Sequence, residues 1–109
     1  MTALRPARLR VLIAAPLPAD VGAVAAVLGT AGHEVLTAYR LDAVVARLIS
    51  ERPDVLVVDP AIGEGSAADL VSRLGGYSDA PLLVLADLVD ESLVVEALTA
   101  GAVDVVGRP

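Results

Sequence analysis

Residues 53–59 read Pro-Asp-Val-Leu-Val-Val-Asp, a run that is apolar at every position between its two aspartates. A short apolar run without polar alternation is typical of a central strand in a parallel sheet, where helices cover both faces. Similar runs occupy residues 10–14 and residues 81–86. The sequence therefore predicts a sheet whose inner strands are buried on both sides.

The segments between these runs have the periodicity of amphipathic helices. Capping residues and glycines bound four of them: Asp20 to Gly32, about 42–51 before Pro53, Ser66 to Gly75-Gly76, and Asp90 to Gly101. Two further strands are predicted at 33–38 and 103–106. Five strands alternating with four helices predict an α/β domain with a flavodoxin-like parallel sheet of order 2-1-3-4-5.

Composition limits the classes of function. The chain has 109 residues, of which 56% are hydrophobic, so one folded domain is expected rather than a disordered segment. Its only aromatic residues are Tyr39 and Tyr77, which argues against a stacking platform for single-stranded nucleic acid and against an aromatic-lined cofactor slot. It has no cysteine, which excludes disulfides and thiolate chemistry.

Charge is unevenly distributed along the chain. The net charge is −6, yet Arg5, Arg8 and Arg10 fall in the first ten residues, where no acidic residue occurs. We expect residues 1–9 to form a solvated basic arm, with the three arginines facing water, and residues 10–109 to form the domain. The acidic body disfavours direct binding to nucleic acid. No apolar run is long enough for a signal peptide or a membrane span, so a cytoplasmic location is expected.

Several short motifs together resemble the response-regulator receiver domain of two-component signalling, the CheY-like family. They are Ala-Gly-His-Glu-Val at 31–35, residues 53–59, Ala97-Leu98, Ala-Gly-Ala at 100–102 and Arg108-Pro109. The resemblance covers about residues 8–109 and implies the sheet order given above. The segment 90–102 is most similar to receivers joined to helix-turn-helix transcription factors of the LuxR/NarL group.

The family resemblance also implies a chemistry, which is phosphoryl transfer to one aspartate. Mg²⁺ is held there by that aspartate and an acidic pair after the first strand, while a Thr or Ser and a Lys hold the phosphoryl group. In this sequence Asp59 stands at the phosphoacceptor position. The other family positions carry different residues: Ala15 and Pro16 for the acidic pair, Ala86 for the hydroxyl, Arg108 for the Lys, and Val105 for the aromatic switch residue.

The site is therefore expected to be degenerate, with Mg²⁺ binding lost and no other cofactor. Asp87 and Glu64 are the possible substitute carboxylates, whereas Asp20 is expected to cap a helix and Asp104 to lie at the surface. Arg108 has two interpretations. Its guanidinium could pair with Asp59 and hold the site in one state without phosphate, or it could face solvent before a turn.

The resemblance implies a fifth helix, yet the sequence ends directly after the fifth strand. We expect the 109 residues to be a fragment of a longer protein that lacks this helix and an output domain. The apolar side chains of Leu93, Val94, Val103 and Val105 form the predicted interaction face. Self-association through the fourth helix and the fifth strand is the expected consequence.

The leading functional hypothesis is a non-enzymatic, phosphorylation-independent receiver that regulates a DNA-binding output domain outside this segment. In this hypothesis the chain binds a protein partner or itself, and it contacts neither a membrane nor DNA directly. One alternative keeps Asp59 as a working phosphoacceptor with a non-standard metal site. The other is a flavodoxin-like regulatory module that binds a small molecule.

Overall fold

A computed structural model of the chain describes residues 8–87 and 90–107. In chain order the elements are β1 (Arg10–Ala14), α1 (Pro18–Thr30), β2 (Glu34–Ala38), α2 (Leu41–Glu51), β3 (Val55–Val58), a 3₁₀ turn (Pro60–Ile62), α3 (Ala67–Gly75), β4 (Leu82–Ala86), α4 (Glu91–Ala100) and β5 (Asp104–Gly107). The predicted alternation of five strands and four helices is confirmed.

The strands form one parallel sheet of order β2-β1-β3-β4-β5, as predicted. The order reverses at β1, whose Leu12 lies opposite Leu36 of β2 and Leu56 of β3. In sheets of this kind a crevice lies beyond the carboxyl ends of the strands at which the strand order reverses. Ligands bind in that crevice. The fold thus directs attention to the loops after β1 and β3.

Alternate side chains of the inner strands enter two separate core clusters. Leu12 of β1 joins the larger cluster, to which α2, α3 and α4 contribute. Val11 and Ile13 join the smaller cluster, to which α1 contributes through Val21. Burial of both faces explains why β1, β3 and β4 are almost continuously apolar.

Helix starts show which capping signals the chain uses. Ser66 Oγ accepts a hydrogen bond from the Asp69 amide at 3.1 Å, and Asp90 Oδ1 accepts one from the Leu93 amide at 3.1 Å, so both predicted caps are confirmed. The predicted Asp20 cap is wrong, because α1 begins at Pro18 and Asp20 lies in its first turn. Proline favours the first helical position, since its fixed φ suits a helix and the amide hydrogen that it lacks would have no partner there.

Strand ends differ from the prediction by one residue each. β2 and β4 begin one residue later than the predicted 33 and 81, and β5 covers 104–107 instead of 103–106. The residue before β2, His33, accepts a hydrogen bond at Nδ1 from the Leu9 amide. The residue before β3, Asp54, accepts one at Oδ2 from the Arg10 amide at 2.7 Å. These side chains join neighbouring segments at the amino edge of the sheet.

The side chain of Arg10 is 40% exposed, and it also forms contacts that the charge pattern does not predict. Its Nε donates to Glu34 Oε2 at 3.0 Å, and its Nη1 donates to the Glu51 carbonyl oxygen at 2.8 Å. The hydrogen bond to Glu34, followed by the charges of Glu34, Glu51 and Asp54, raises the pKa of the Arg10 guanidinium above its ordinary value. Arg10 therefore links β1 to β2 and to the end of α2, at the edge of the sheet opposite the candidate site.

Within the described residues, no helix has the length and the apolar composition that crossing a membrane requires.

Candidate functional site at the carboxyl edge of the sheet

Asp59 follows β3 and is the one buried charged residue of the described chain, with 1% of its surface exposed. Its amide donates to the Ala14 carbonyl oxygen at 2.8 Å, which extends the pairing of β3 with β1. Its Oδ1 accepts a hydrogen bond from the Ala61 amide at 2.9 Å and so caps the 3₁₀ turn that begins at Pro60. Asp59 thus has a structural role that the sequence analysis missed, although an Asp directly before Pro at a helix start is a recognisable signal.

The positions at which the family resemblance implies metal ligands and a hydroxyl group carry apolar residues in this chain. Ala15 follows β1 and is fully buried, and Ala86 at the end of β4 is 1% exposed. Pro16 is half-buried. A methyl group or a pyrrolidine ring supplies neither a metal ligand nor a hydrogen-bond donor. These three residues therefore do not fit a Mg²⁺ ion, which prefers six oxygen ligands.

Of the two further family positions, one lies within the described residues. Val105 is half-buried in β5 and packs against the larger core cluster. A valine at this position is already part of the hydrophobic core and has no aromatic ring that could rotate. Arg108 lies outside the described residues, so both interpretations of it stay predictions.

The two candidate substitute carboxylates line different cavities. Asp87 is exposed and lines a crevice of about 520 Å³ between the loop after β3 and the start of α4. Glu64 is exposed and lines a second cavity, of about 720 Å³, on the side of α2 and α3. Among residues 8–87 and 90–107, no three His, Asp or Glu side chains are grouped so that they could hold a metal ion.

The second cavity brings together both aromatic residues of the chain. Tyr39 follows β2 and Tyr77 follows α3, each is 44% exposed, and both line the cavity with Arg40 and Arg73. We call this cavity the tyrosine groove. The expectation that the low aromatic content argues against an aromatic-lined cofactor slot stays a prediction.

The predicted interaction face is only partly at the surface. Leu93 and Val105 pack against the larger core cluster, and Val94 is half-buried. Val103 is 63% exposed, as a surface residue would be. Two residues outside the prediction, Val95 and Leu98 of α4, are 62% and 43% exposed. We call Val95, Leu98 and Val103 the α4–β5 patch.

Comparisons with known proteins point to one family. No family model matches the sequence. The chain is 35% identical over 78 residues to the transcriptional regulatory protein KdpE of Mycobacterium tuberculosis, an alignment that covers 72% of this chain and 34% of that protein. The chain thus spans about a third of the length of the curated relatives that it matches.

Solved structures agree with this relationship. A response regulator from Thermotoga maritima superimposes with a TM-score of 0.84 at 28% identity, covering 94% of this chain and 87% of that one. A response regulator from Burkholderia pseudomallei, solved with a phosphorylated aspartic acid, a calcium ion and citrate, gives a TM-score of 0.80 at 25% identity. That match covers 92% of this chain and 59% of that one.

The strand order and the four helices agree with the fold of these solved structures. The chain belongs to the receiver domains of response regulators.

Proposed function

We propose that this receiver acts without phosphorylation and controls a DNA-binding output domain in a cytoplasmic transcriptional regulator. The observation that carries the proposal is the burial of Asp59 beside apolar residues at the positions of the family's metal ligands and hydroxyl. The relatives named KdpE are transcriptional regulators, and the chain spans about a third of their length. The names and the greater length of these relatives support the proposal of an output domain outside this segment.

Loss of the acidic pair argues against capture of Mg²⁺. The ion carries two positive charges, and carboxylates are the protein ligands that offset the cost of removing its hydration water. Asp59 is a single carboxylate and already accepts a hydrogen bond from Ala61. We therefore propose that neither Mg²⁺ nor another cofactor is part of the function.

Self-association through the α4–β5 patch is the proposed means of regulation. The patch consists of three branched apolar side chains exposed at the surface of a helix and beside an edge strand. Burial of such side chains favours association, because it removes apolar surface from water. Partner choice and the LuxR/NarL type of output domain stay predictions.

The test is exposure of the full chain to acetyl phosphate with Mg²⁺, followed by intact-mass analysis. We expect no modification, and we expect the Asp59→Asn variant to give the same spectrum as the natural chain. Beryllofluoride with Mg²⁺ is expected to leave the oligomeric state unchanged in sedimentation. Stoichiometric modification of Asp59 would contradict the proposal and favour a receiver that accepts phosphate through a non-standard metal site.

A further inference from the structure

We propose that the tyrosine groove binds a small planar aromatic molecule that carries a negatively charged group. This inference rests on the proposed function, because a receiver that does not read phosphate requires a different input. The groove has a volume of about 720 Å³. Such a volume lies within the range of known small-molecule sites.

The position of the groove in the fold is the first argument. Pro16 follows β1, Tyr39 follows β2 and Ile62 follows β3, and all three line the groove. The groove therefore begins at the carboxyl ends of β1, β2 and β3 and extends to Arg73 in the last turn of α3 and to Tyr77 beyond it. Ligands of open α/β sheets bind beyond the carboxyl ends of the strands.

The side chains of the groove favour an aromatic ligand. Tyr39 and Tyr77 are each 44% exposed, although they are large rings in a chain with 56% hydrophobic residues. Pro16 and Ile62 add apolar surface to the same lining. Aromatic pairs in offset or edge-to-face contact are stabilised beyond the burial of their area. A planar ring between these side chains would cover surface that now contacts water.

Arg73 is the argument for a negatively charged ligand, although the formal charges that line the groove sum to zero. Arg40 is paired with Asp42, at 3.3 Å between Nε and Oδ1, so these two charges largely offset each other. Within the part of the chain that the structure describes, Arg73 forms no ion pair. A planar guanidinium suits a carboxylate or sulfonate through two parallel hydrogen bonds. Glu64 is the opposing charge in the lining, and its effect can be tested separately.

The test uses 8-anilino-1-naphthalenesulfonate as an aromatic anion and N-phenyl-1-naphthylamine as its uncharged analogue. Fluorescence titrations of the full chain are run without phosphodonor or divalent cation. We expect the anion to bind more tightly than the uncharged analogue. Arg73→Gln is expected to weaken binding of the anion about three- to tenfold and to leave the analogue unchanged. Glu64→Gln is expected to tighten binding of the anion.

The rings and the specificity are tested by further variants. Tyr77→Leu is expected to weaken binding of both probes about three- to tenfold, whereas Tyr77→Phe keeps the ring and the affinity. Arg47→Gln is the matched control, because Arg47 lies on α2 outside the groove lining and pairs with Glu51. Leu98→Ser removes an exposed apolar residue of the α4–β5 patch and is also expected to leave the affinity unchanged.

Two results would overturn the inference. In the first, the anion binds to Arg73→Gln and to Tyr77→Leu as tightly as to the natural chain, and both variants keep the natural thermal midpoint. The other is loss of binding in Leu98→Ser, which would place the probe on the α4–β5 patch. Either result leaves the acetyl phosphate experiment on Asp59 unaffected, so failure of this inference is distinguishable from failure of the proposed function.

Discussion

At the scale of single residues, Asp59 combines the position of a phosphoacceptor with the role of a buried cap. Asp59→Ala removes the acceptor of the Ala61 amide and is expected to lower the free energy of unfolding by about 1–3 kcal/mol. Asp59→Asn keeps an oxygen at the same place, so a loss of less than about 1 kcal/mol is expected. Urea unfolding monitored by circular dichroism measures both. Equal losses would show that the charge, not the acceptor oxygen, stabilises the turn.

The apolar residues around Asp59 lead to a gain-of-function prediction. The triple variant Ala15→Asp, Pro16→Asp, Ala86→Thr supplies the carboxylates and the hydroxyl that the family resemblance implies. We expect Mg²⁺ at tenfold excess over its dissociation constant to raise the free energy of unfolding of this variant by about 1.4 kcal/mol. The natural chain is expected to show no such effect in the same thermal unfolding series.

A control is needed because Ala15 is fully buried and a carboxylate there is costly. Pro16→Asp alone changes a half-buried position and is expected to show a smaller response to Mg²⁺. An equal response of the natural chain and both variants would contradict the prediction.

The residue types at the candidate site positions are readable from the sequence, whereas their surroundings are not. The replacement of the acidic pair by Ala15 and Pro16 is visible in the sequence, since it depends only on which residue follows an apolar strand. The burial of Asp59 and the position of both Tyr39 and Tyr77 in the lining of one groove are not visible there. These features depend on how loops from separate βα units pack, and no local periodicity encodes that packing.

At the scale of elements, the two confirmed caps are expected to contribute alike. Ser66→Ala and Asp90→Ala each remove a hydrogen bond to an amide of the first helical turn. Each is expected to lower the free energy of unfolding by about 1 kcal/mol. Thr99→Ala, at an exposed position within α4, is the control and is expected to change it by less than about 0.5 kcal/mol. Urea titrations of the three variants test the prediction, and a loss in Thr99→Ala as large as in the others would contradict it.

Element types and order were predictable because apolar runs and helical periodicity are strong signals in this chain. The ends were less predictable, since single side chains decide them. Pro18 starts α1 earlier than Asp20 would, and Pro81 cannot donate to a sheet, so β4 begins after it. Asp54 binds the Arg10 amide through its side chain and lies outside β3. An alternation pattern does not show such side-chain contacts.

At the scale of the whole molecule, net charge and the α4–β5 patch act against each other. Two copies with a charge of −6 repel, whereas Val95, Leu98 and Val103 carry no charge. Added salt screens the repulsion and strengthens apolar burial, so the dimer dissociation constant is expected to fall as ionic strength rises. Sedimentation equilibrium at two salt concentrations measures this.

Leu98→Ser with Val103→Ser is the matched variant for this experiment. It is expected to stay monomeric at both salt concentrations, because the apolar surface that favours association is reduced. A dimer that weakens with added salt would contradict the prediction, since it would indicate association through ion pairs instead of the α4–β5 patch.

The placement of Tyr39 and Tyr77 has an optical consequence. The chain has no tryptophan, so these two phenols produce its whole intrinsic ultraviolet emission. Both line the tyrosine groove, so both report on the solvent and the side chains there. A quencher or ligand entering there alters the entire signal, while pairing of two copies along α4 leaves it nearly constant. The intensity of tyrosine emission from one unlabelled sample can therefore separate the two kinds of event.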